Sequence, residues 1–281
     1  MTMKIHKIET GNFMCDGGTM FSVVPKFMWN KKYPCNDENL CECAIRGILI
    51  EDGDRKILVD TGIGNKNNDA STPNCQMEAE DTLENSLNNI GIKEEEITDV
   101  LFTHLHYDHA GGAVRKTSNN NLEIVFPNAT FWVSKAQFES HQSPNVREKD
   151  SFSNDDIQKI IDSNNLSFIE NGQMLTENIE IRLFYGHTTG LALPFIKYED
   201  KNILFAGDFI PTSANINIKW LASYDIEPLK ALKEKEIFYK EAIKKDYYII
   251  FQHDIQTEVC TLKRTDKGVK IDKTYKLEEI L

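Results

Sequence analysis

The stretch Thr103-His104-Leu105-His106-Tyr107-Asp108-His109-Ala110-Gly111-Gly112 places four ligand-type side chains within six positions, directly after a segment, 97–102, that reads as a strand. His104 and His106 are two residues apart, so on an extended backbone both project to one side. Asp108 and His109 follow where the chain turns, helped by Gly111 and Gly112. Such a run lets neighbouring residues serve two different ions. Imidazole with carboxylate suits zinc and, with more oxygen, iron or manganese. Chance clustering of surface histidines explains it poorly, because three of the chain's seven histidines fall inside it.

A mononuclear site needs one or two further protein ligands, and a dinuclear site needs three. Working outward from the motif, the chain offers them at strand ends. His187 lies in Tyr185-Gly186-His187-Thr188-Thr189-Gly190, after a strand expected over 179–184. Asp208 follows the apolar run 202–206 in Phe205-Ala206-Gly207-Asp208, and His253 follows Tyr247-Tyr248-Ile249-Ile250. A lone histidine or aspartate in a loop is usually structural or solvated. Three recurrences of strand-then-ligand argue against coincidence.

The rest of the chain reads as alternating strands and helices. Residues 4–8 alternate as an opening strand, and Asp16-Gly17-Gly18 is a turn. The apolar stretch 20–29, broken by Pro25, is either core or a wall of an apolar pocket. Segments 42–50 and 55–59 flank Glu51-Asp52-Gly53-Asp54 as a hairpin, and the second runs into Asp60-Thr61-Gly62. An Asn-rich loop covers 64–80, a helix with Asp81 at its start covers 81–90, and strands are expected at 122–126 and 130–134. Residues 135–165 read as helical, 228–244 as a helix, and 192–198, 247–251 and 259–275 as strands. The alternation points to an α/β sandwich with sheets inside and helices outside. No linker or repeat interrupts it, so 1–281 is read as a single domain.

Composition narrows the partners. With 32 basic against 44 acidic side chains the net charge is −12, which argues against a protein that grips nucleic acid or an anionic membrane, both of which need a concentrated basic face. No apolar run approaches the ~20 residues of a membrane span. The N-terminus carries Lys4, His6, Lys7 and Glu9 where a secretory leader needs apolar residues. The six cysteines show no C-x-x-C pair and read as free thiols of a reducing compartment, so a cytoplasmic protein is expected.

The H-x-H-x-D-H run, a histidine in a Gly-His-Thr turn, an aspartate after a glycine and a final histidine together resemble the metallo-β-lactamase superfamily. Asp60 in Val59-Asp60-Thr61-Gly62 matches that superfamily's first motif. Two further stretches, Asp16-Gly17-Gly18-Thr19-Met20-Phe21 with Val24-Pro25-Lys26, and Gly207-Asp208-Phe209-Ile210-Pro211-Thr212, resemble its acyl-homoserine lactonase branch. The resemblance implies an αββα sandwich, two mixed β-sheets face to face with helices outside. It implies two divalent metal ions, zinc first, with iron, manganese and cobalt also accepted by His/Asp sites. His104, His106 and His187 would hold the first ion, Asp108, His109 and His253 the second, and Asp208 would bridge them. Asp60 would orient a ligand region by hydrogen bonding, while His6 and His141 match no motif.

The activity so implied is hydrolysis by a metal-bridging hydroxide, with Asp108 passing a proton to the leaving group. The first reading is a lactonase opening acylated homoserine lactones or similar lactones. A phosphotriester or aryl-ester hydrolase on the same ions is the alternative, and a di-iron redox protein stands further off, since His106 is retained and no flavin domain fits. Lactonases of this branch carry a tyrosine three residues after the bridging aspartate, where this chain has Pro211; Tyr107, Tyr185 or Tyr224 would have to supply a phenol from elsewhere. The partner expected is a small ester or lactone substrate, and the sequence leaves open whether the chain works alone or as a homodimer.

Overall fold

The computed structural model describes residues 3–64, 66 and 82–281. The chain divides into two compact units, each assembled from two segments: Met1–Phe13 with Ala44–Glu170, and Met14–Cys43 with Asn171–Leu281.

The first unit carries a six-stranded mixed sheet. Its strands are β1 (Lys4–Asp16), β2 (Leu40–Asp52), β3 (Arg55–Val59), β4 (Asp99–Leu101), β7 (Thr130–Ser134) and β8 (Leu166–Ile169), in the order β1-β2-β3-β4-β7-β8. A separate antiparallel pair joins β5 (Val114–Lys116) to β6 (Leu122–Ile124). The β2–β3 hairpin closes on the Asp52–Arg55 pair, with Gly53 at φ 64°, a left-handed conformation that glycine adopts without a Cβ clash. From β3 onward the pairing is parallel, β3 with β4, β4 with β7 and β7 with β8. Parallel neighbours require crossovers. Helix α3 (Leu83–Asn89) supplies one, α4 (Tyr107–Ala110) lies in the next, and α5 (Lys135–Gln142) and α6 (Asn154–Asp162) make the last. Leu49, Leu58, Val100, Phe102, Phe131 and Ile157 belong to the buried core of this unit.

The second unit contains α1 (Gly17–Phe21), α2 (Lys26–Trp29) and a seven-stranded sheet: β9 (Gln173–Thr176), β10 (Ile179–Phe184), β11 (Leu191–Tyr198), β12 (Lys201–Phe205), β13 (Tyr247–Ile250), β14 (Val259–Thr265) and β15 (Gly268–Tyr275). Neighbours run antiparallel except β12 and β13, which are parallel and joined through α7 (Pro228–Lys244). Proline at the first position of α7 costs no hydrogen bond, since that N–H has no intrahelical acceptor. The helix buries Ala231, Lys235, Phe238, Tyr239 and Ala242, the spacing of one face. Lys235 is out of place in that stripe at 2% exposure.

The α/β class and the mixed sheets expected from the sequence are both present. Several local expectations change. Residues 135–165 form two helices rather than one helical tract, interrupted around 143–153, and β8 and β9 are strands the pattern did not announce. Asp16 does not begin a simple turn: its carboxylate accepts from the backbone N–H of Gly18 and Thr19 and caps α1. Helix α3 is capped by Thr82, and the expected start at Asp81 and most of the 64–80 loop lie outside the described residues. The stretch 20–29 is split. Phe21 is fully buried, stacked on Trp29 at 5.1 Å and edge-on to Trp220, while Val23 and Phe27 are exposed. Among the described residues, no helix is long and apolar enough to cross a membrane. Cys35, Cys41, Cys43 and Cys260 are free thiols, and burial pushes the Cys41 thiol up to about 12.

Candidate metal centre

In the first unit the ligand motif begins where β4 ends, beside the end of its parallel neighbour β3, the edge at which open α/β sheets place their sites. Asp60, the first residue after β3, has φ 56°, a conformation that costs a non-glycine residue on the order of 1 kcal/mol and is held here by its surroundings. Its backbone N–H donates to the Leu101 carbonyl at 3.0 Å. Its carboxylate accepts from the Thr103 N–H at 2.7 Å and the Thr103 hydroxyl at 2.7 Å. The Thr61 N–H and hydroxyl both donate to the His109 carbonyl, at 2.7 and 2.9 Å. Glycine is required opposite this turn: a Cβ on Gly112 would lie 2.0 Å from the Thr61 carbonyl oxygen, and one on Gly111 2.4 Å from that of Ile63.

These contacts assign one nitrogen of each imidazole. His109 Nδ1 faces Asp60 Oδ2 at 2.9 Å, and a carboxylate accepts, so Nδ1 carries the proton and Nε2 keeps its lone pair. His106 Nε2 faces the buried Glu148 at 3.2 Å by the same logic, leaving His106 Nδ1 with its lone pair. His104 Nδ1 faces the Thr103 hydroxyl at 3.0 Å; that hydroxyl already gives its proton to Asp60, so it accepts from Nδ1. The remaining nitrogens converge, His104 Nε2 and His106 Nδ1 standing 2.9 Å apart. Asp108 Oδ2 is 3.4 Å from His109 Nε2. Outer nitrogens held by acceptors and inner nitrogens brought together form the usual support of a divalent-metal site.

In the second unit sheet topology does the same work. Strands β12 and β13 are parallel, and β10 runs in their direction because β11 between them is antiparallel to both β10 and β12. The ends of β10, β12 and β13 therefore share one edge, and His187, Asp208 and His253 follow those three ends. Gly186 lets α7 approach, since a Cβ there would be 2.3 Å from Ala231 Cα. Glu234 on α7 accepts from the Tyr185 and Gly186 N–H groups at 2.9 and 3.1 Å. His187 Nδ1 lies 3.2 Å from the buried Asp225 and its Nε2 lies 3.2 Å from Asp208 Oδ2. His253 Nε2 is 2.8 Å from Asp208 Oδ1. The loop that carries His253 is pinned by its own N–H donating to the Pro211 carbonyl and by Asp254, which accepts from Ser213, Gln256 and Thr257 N–H groups. Tyr224 sets its ring edge-on to His187 at 5.6 Å, and burial with the nearby Asp208 charge pushes its phenol well above the usual range.

All the expected ligands thus fall into two clusters, His104, His106, Asp108 and His109 in one unit and His187, Asp208 and His253 in the other. All but Asp108 are buried. His6 pairs with Glu51 and His141 packs edge-on against Phe152, as residues outside the site. Sequence reasoning missed Glu148 and Asp225. Glu148 sits in Arg147-Glu148-Lys149-Asp150, which reads as a solvated charge run, and Asp225 precedes a helix where an acid reads as a cap.

The metallo-β-lactamase superfamily model matches residues 43–253. A Bacillus thuringiensis N-acyl homoserine lactonase is 26% identical over 226 residues, covering 75% of this chain and 81% of the relative. A Bacillus cereus N-acyl homoserine lactonase is 26% identical over 253 residues, covering 84% and 88%. Among solved structures, a probable metal-dependent hydrolase from Staphylococcus aureus is 30% identical, with a TM-score of 0.87 over 97% of this chain and 96% of the other. The dizinc quorum-quenching lactonase AidC, at 19% identity, shares the fold with a TM-score of 0.79 over 98% of this chain and 95% of its own. The chain belongs to the metallo-β-lactamase superfamily and is a metal-dependent hydrolase.

Proposed function

We propose that the protein is a dinuclear hydrolase that opens lactones, with acylated homoserine lactones as the first substrate class. In this reading His104, His106 and His187 would hold one ion, Asp108, His109 and His253 would hold the other, and Asp208 would serve both, with zinc the metal of first choice. The observation that carries it is the Asp208 carboxylate, which turns one oxygen toward His187 and the other toward His253. A carboxylate that divides its oxygens in this way can serve two ions at once. The names of the Bacillus relatives support the substrate class.

Two divalent ions bound there supply Lewis acidity and a water acidic enough to ionise near neutral pH. The chain's residues prepare the rest. Asp60, Glu148 and Asp225 hold His109, His106 and His187 in the tautomers that leave a lone pair for metal. As water oxygen bonds to the lactone carbonyl carbon, the ring C–O bond breaks and the leaving alkoxide needs a proton. Asp108 takes a proton from the water and returns it there. Tyr224 offers a phenol beside His187, in place of the tyrosine absent at Pro211.

The test is metal analysis paired with a panel of lactones, phosphotriesters, aryl esters and thioesters. The expected result is two divalent ions per chain and the highest kcat/KM on acylated lactones. Faster phosphotriester turnover would replace the lactonase by the ester alternative, and no turnover of any member by metal-loaded protein would sink the hydrolytic reading.

A further inference from the structure

A cavity in the second unit has none of the seven ligand residues in its lining. It is a cleft of about 940 Å³ whose walls come from α7, the β14–β15 hairpin and residues 213–220. Its floor includes Ile218, Ile243, Val269 and Ile271, partly buried side chains that pack on the buried core of this unit and leave apolar surface facing the opening. Its rim carries Lys32, Lys240, Arg264, Lys267 and Lys270 against one acid, Glu236. None of these five cations forms an ion pair among the described residues, although the chain has 44 acidic side chains. Local excess of positive charge in an acidic protein is a field that concentrates anions. An apolar floor of this size within a charged rim is the arrangement of a ligand pocket, with hydrophobic walls for the body and a few polar groups for orientation.

We infer that this cleft binds a single-chain amphiphilic anion, an acyl chain lying on the isoleucine floor with a carboxylate held by the rim lysines. Both halves of the ligand are required by the lining. A purely apolar ligand would leave the five cations without a counter-charge, and a small anion would leave the floor in water. The inference is independent of the lactonase reading, because it uses no residue of the metal clusters.

The probe is sodium decanoate, titrated calorimetrically below its micelle concentration into metal-loaded protein, with decanol and acetate as controls. Saturable binding of one decanoate per chain is expected, with decanol and acetate each at least about tenfold weaker. The double variant Lys240→Glu/Lys270→Glu changes two exposed side chains and should raise the decanoate Kd by at least about tenfold at low salt, with the difference narrowing as added salt shortens the screening length below ~10 Å. Equal affinity for acetate and decanoate would place the carboxylate on metal instead and overturn the proposal. So would unchanged decanoate binding in the charge-reversed variant, or no saturable binding at all.

Discussion

The two units assemble ligands of the same chemistry by different means. In the first, four come from six consecutive residues on one turn, and Asp60 secures the turn by accepting from Thr103 and His109. In the second, three come from separate loops that share an edge only because β10, β12 and β13 run in one direction. The first cluster is therefore local and depends on one strained residue, whereas the second is non-local and depends on a sheet. A local cluster hung on one buried carboxylate can be broken at that residue, while a non-local one is sensitive to whatever holds its strands.

The largest expected effect is at Asp208, where the proposal makes one side chain serve both ions. Asp208→Ala should lower bound metal below one equivalent per chain and cut turnover by at least about a hundredfold, the upper end of what losing even an outer partner of a metal ligand costs. Elemental analysis with circular dichroism checks this. A folded variant with two tightly bound ions would show that Asp208 is not shared.

Asp60→Asn and Asp225→Asn then compare the units directly. Both replacements keep size, and asparagine tolerates the left-handed backbone at position 60. Each should weaken metal binding by about 10–100-fold, because each leaves a ligand imidazole without its charged acceptor. Asp60→Asn should also destabilise the fold by about 1–3 kcal/mol, since the Thr103 N–H and hydroxyl are buried donors that depend on the carboxylate. Asp225→Asn should cost much less stability. Equal losses in urea unfolding would mean that Asp60 carries no more of the fold than Asp225 does.

The same contrast decides how much of the molecule could be read in advance. The first cluster is written in consecutive letters, and the second is visible only as a recurrence of strand-then-ligand, made convincing by resemblance. Strands β8 and β9 escaped because each is an edge strand of its sheet, half exposed and too short to show alternation. The break in 135–165 depends on tertiary contacts, since His106 bridges to Phe152 within it and pulls the chain out of helix. Glu148 and Asp225 were unreadable for a related reason: their burial, at 2 and 3%, is a property of the fold, and nothing in the flanking residues distinguishes them from solvated acids.

The smallest effect separates two supporting carboxylates by pH. Asp99 opens β4 and accepts from Arg55 Nε at 2.9 Å, the Trp132 indole N–H at 2.7 Å and the Thr98 hydroxyl at 2.7 Å. Burial works to raise its pKa, but these donors outweigh it and hold the carboxyl below its usual value. Its contribution is therefore present at neutral pH and lost as pH falls through the depressed folded value. Glu234, which braces the His187 loop, is shifted the other way, because burial outweighs its two backbone donors. Its ionised form costs stability at neutral pH, and that cost is relieved as the folded protein takes up a proton on acidification. Asp99→Asn should accordingly lose more stability at pH 7 than near pH 3, by about 1–3 kcal/mol for buried donors left with a weaker acceptor. For Glu234→Gln the difference from the parent should move in the opposite direction over the same range. Urea unfolding at the two pH values reads both. Parallel responses would mean that burial and hydrogen bonding balance alike in the two units, and that the brace under His187 resembles the anchor of β4 after all.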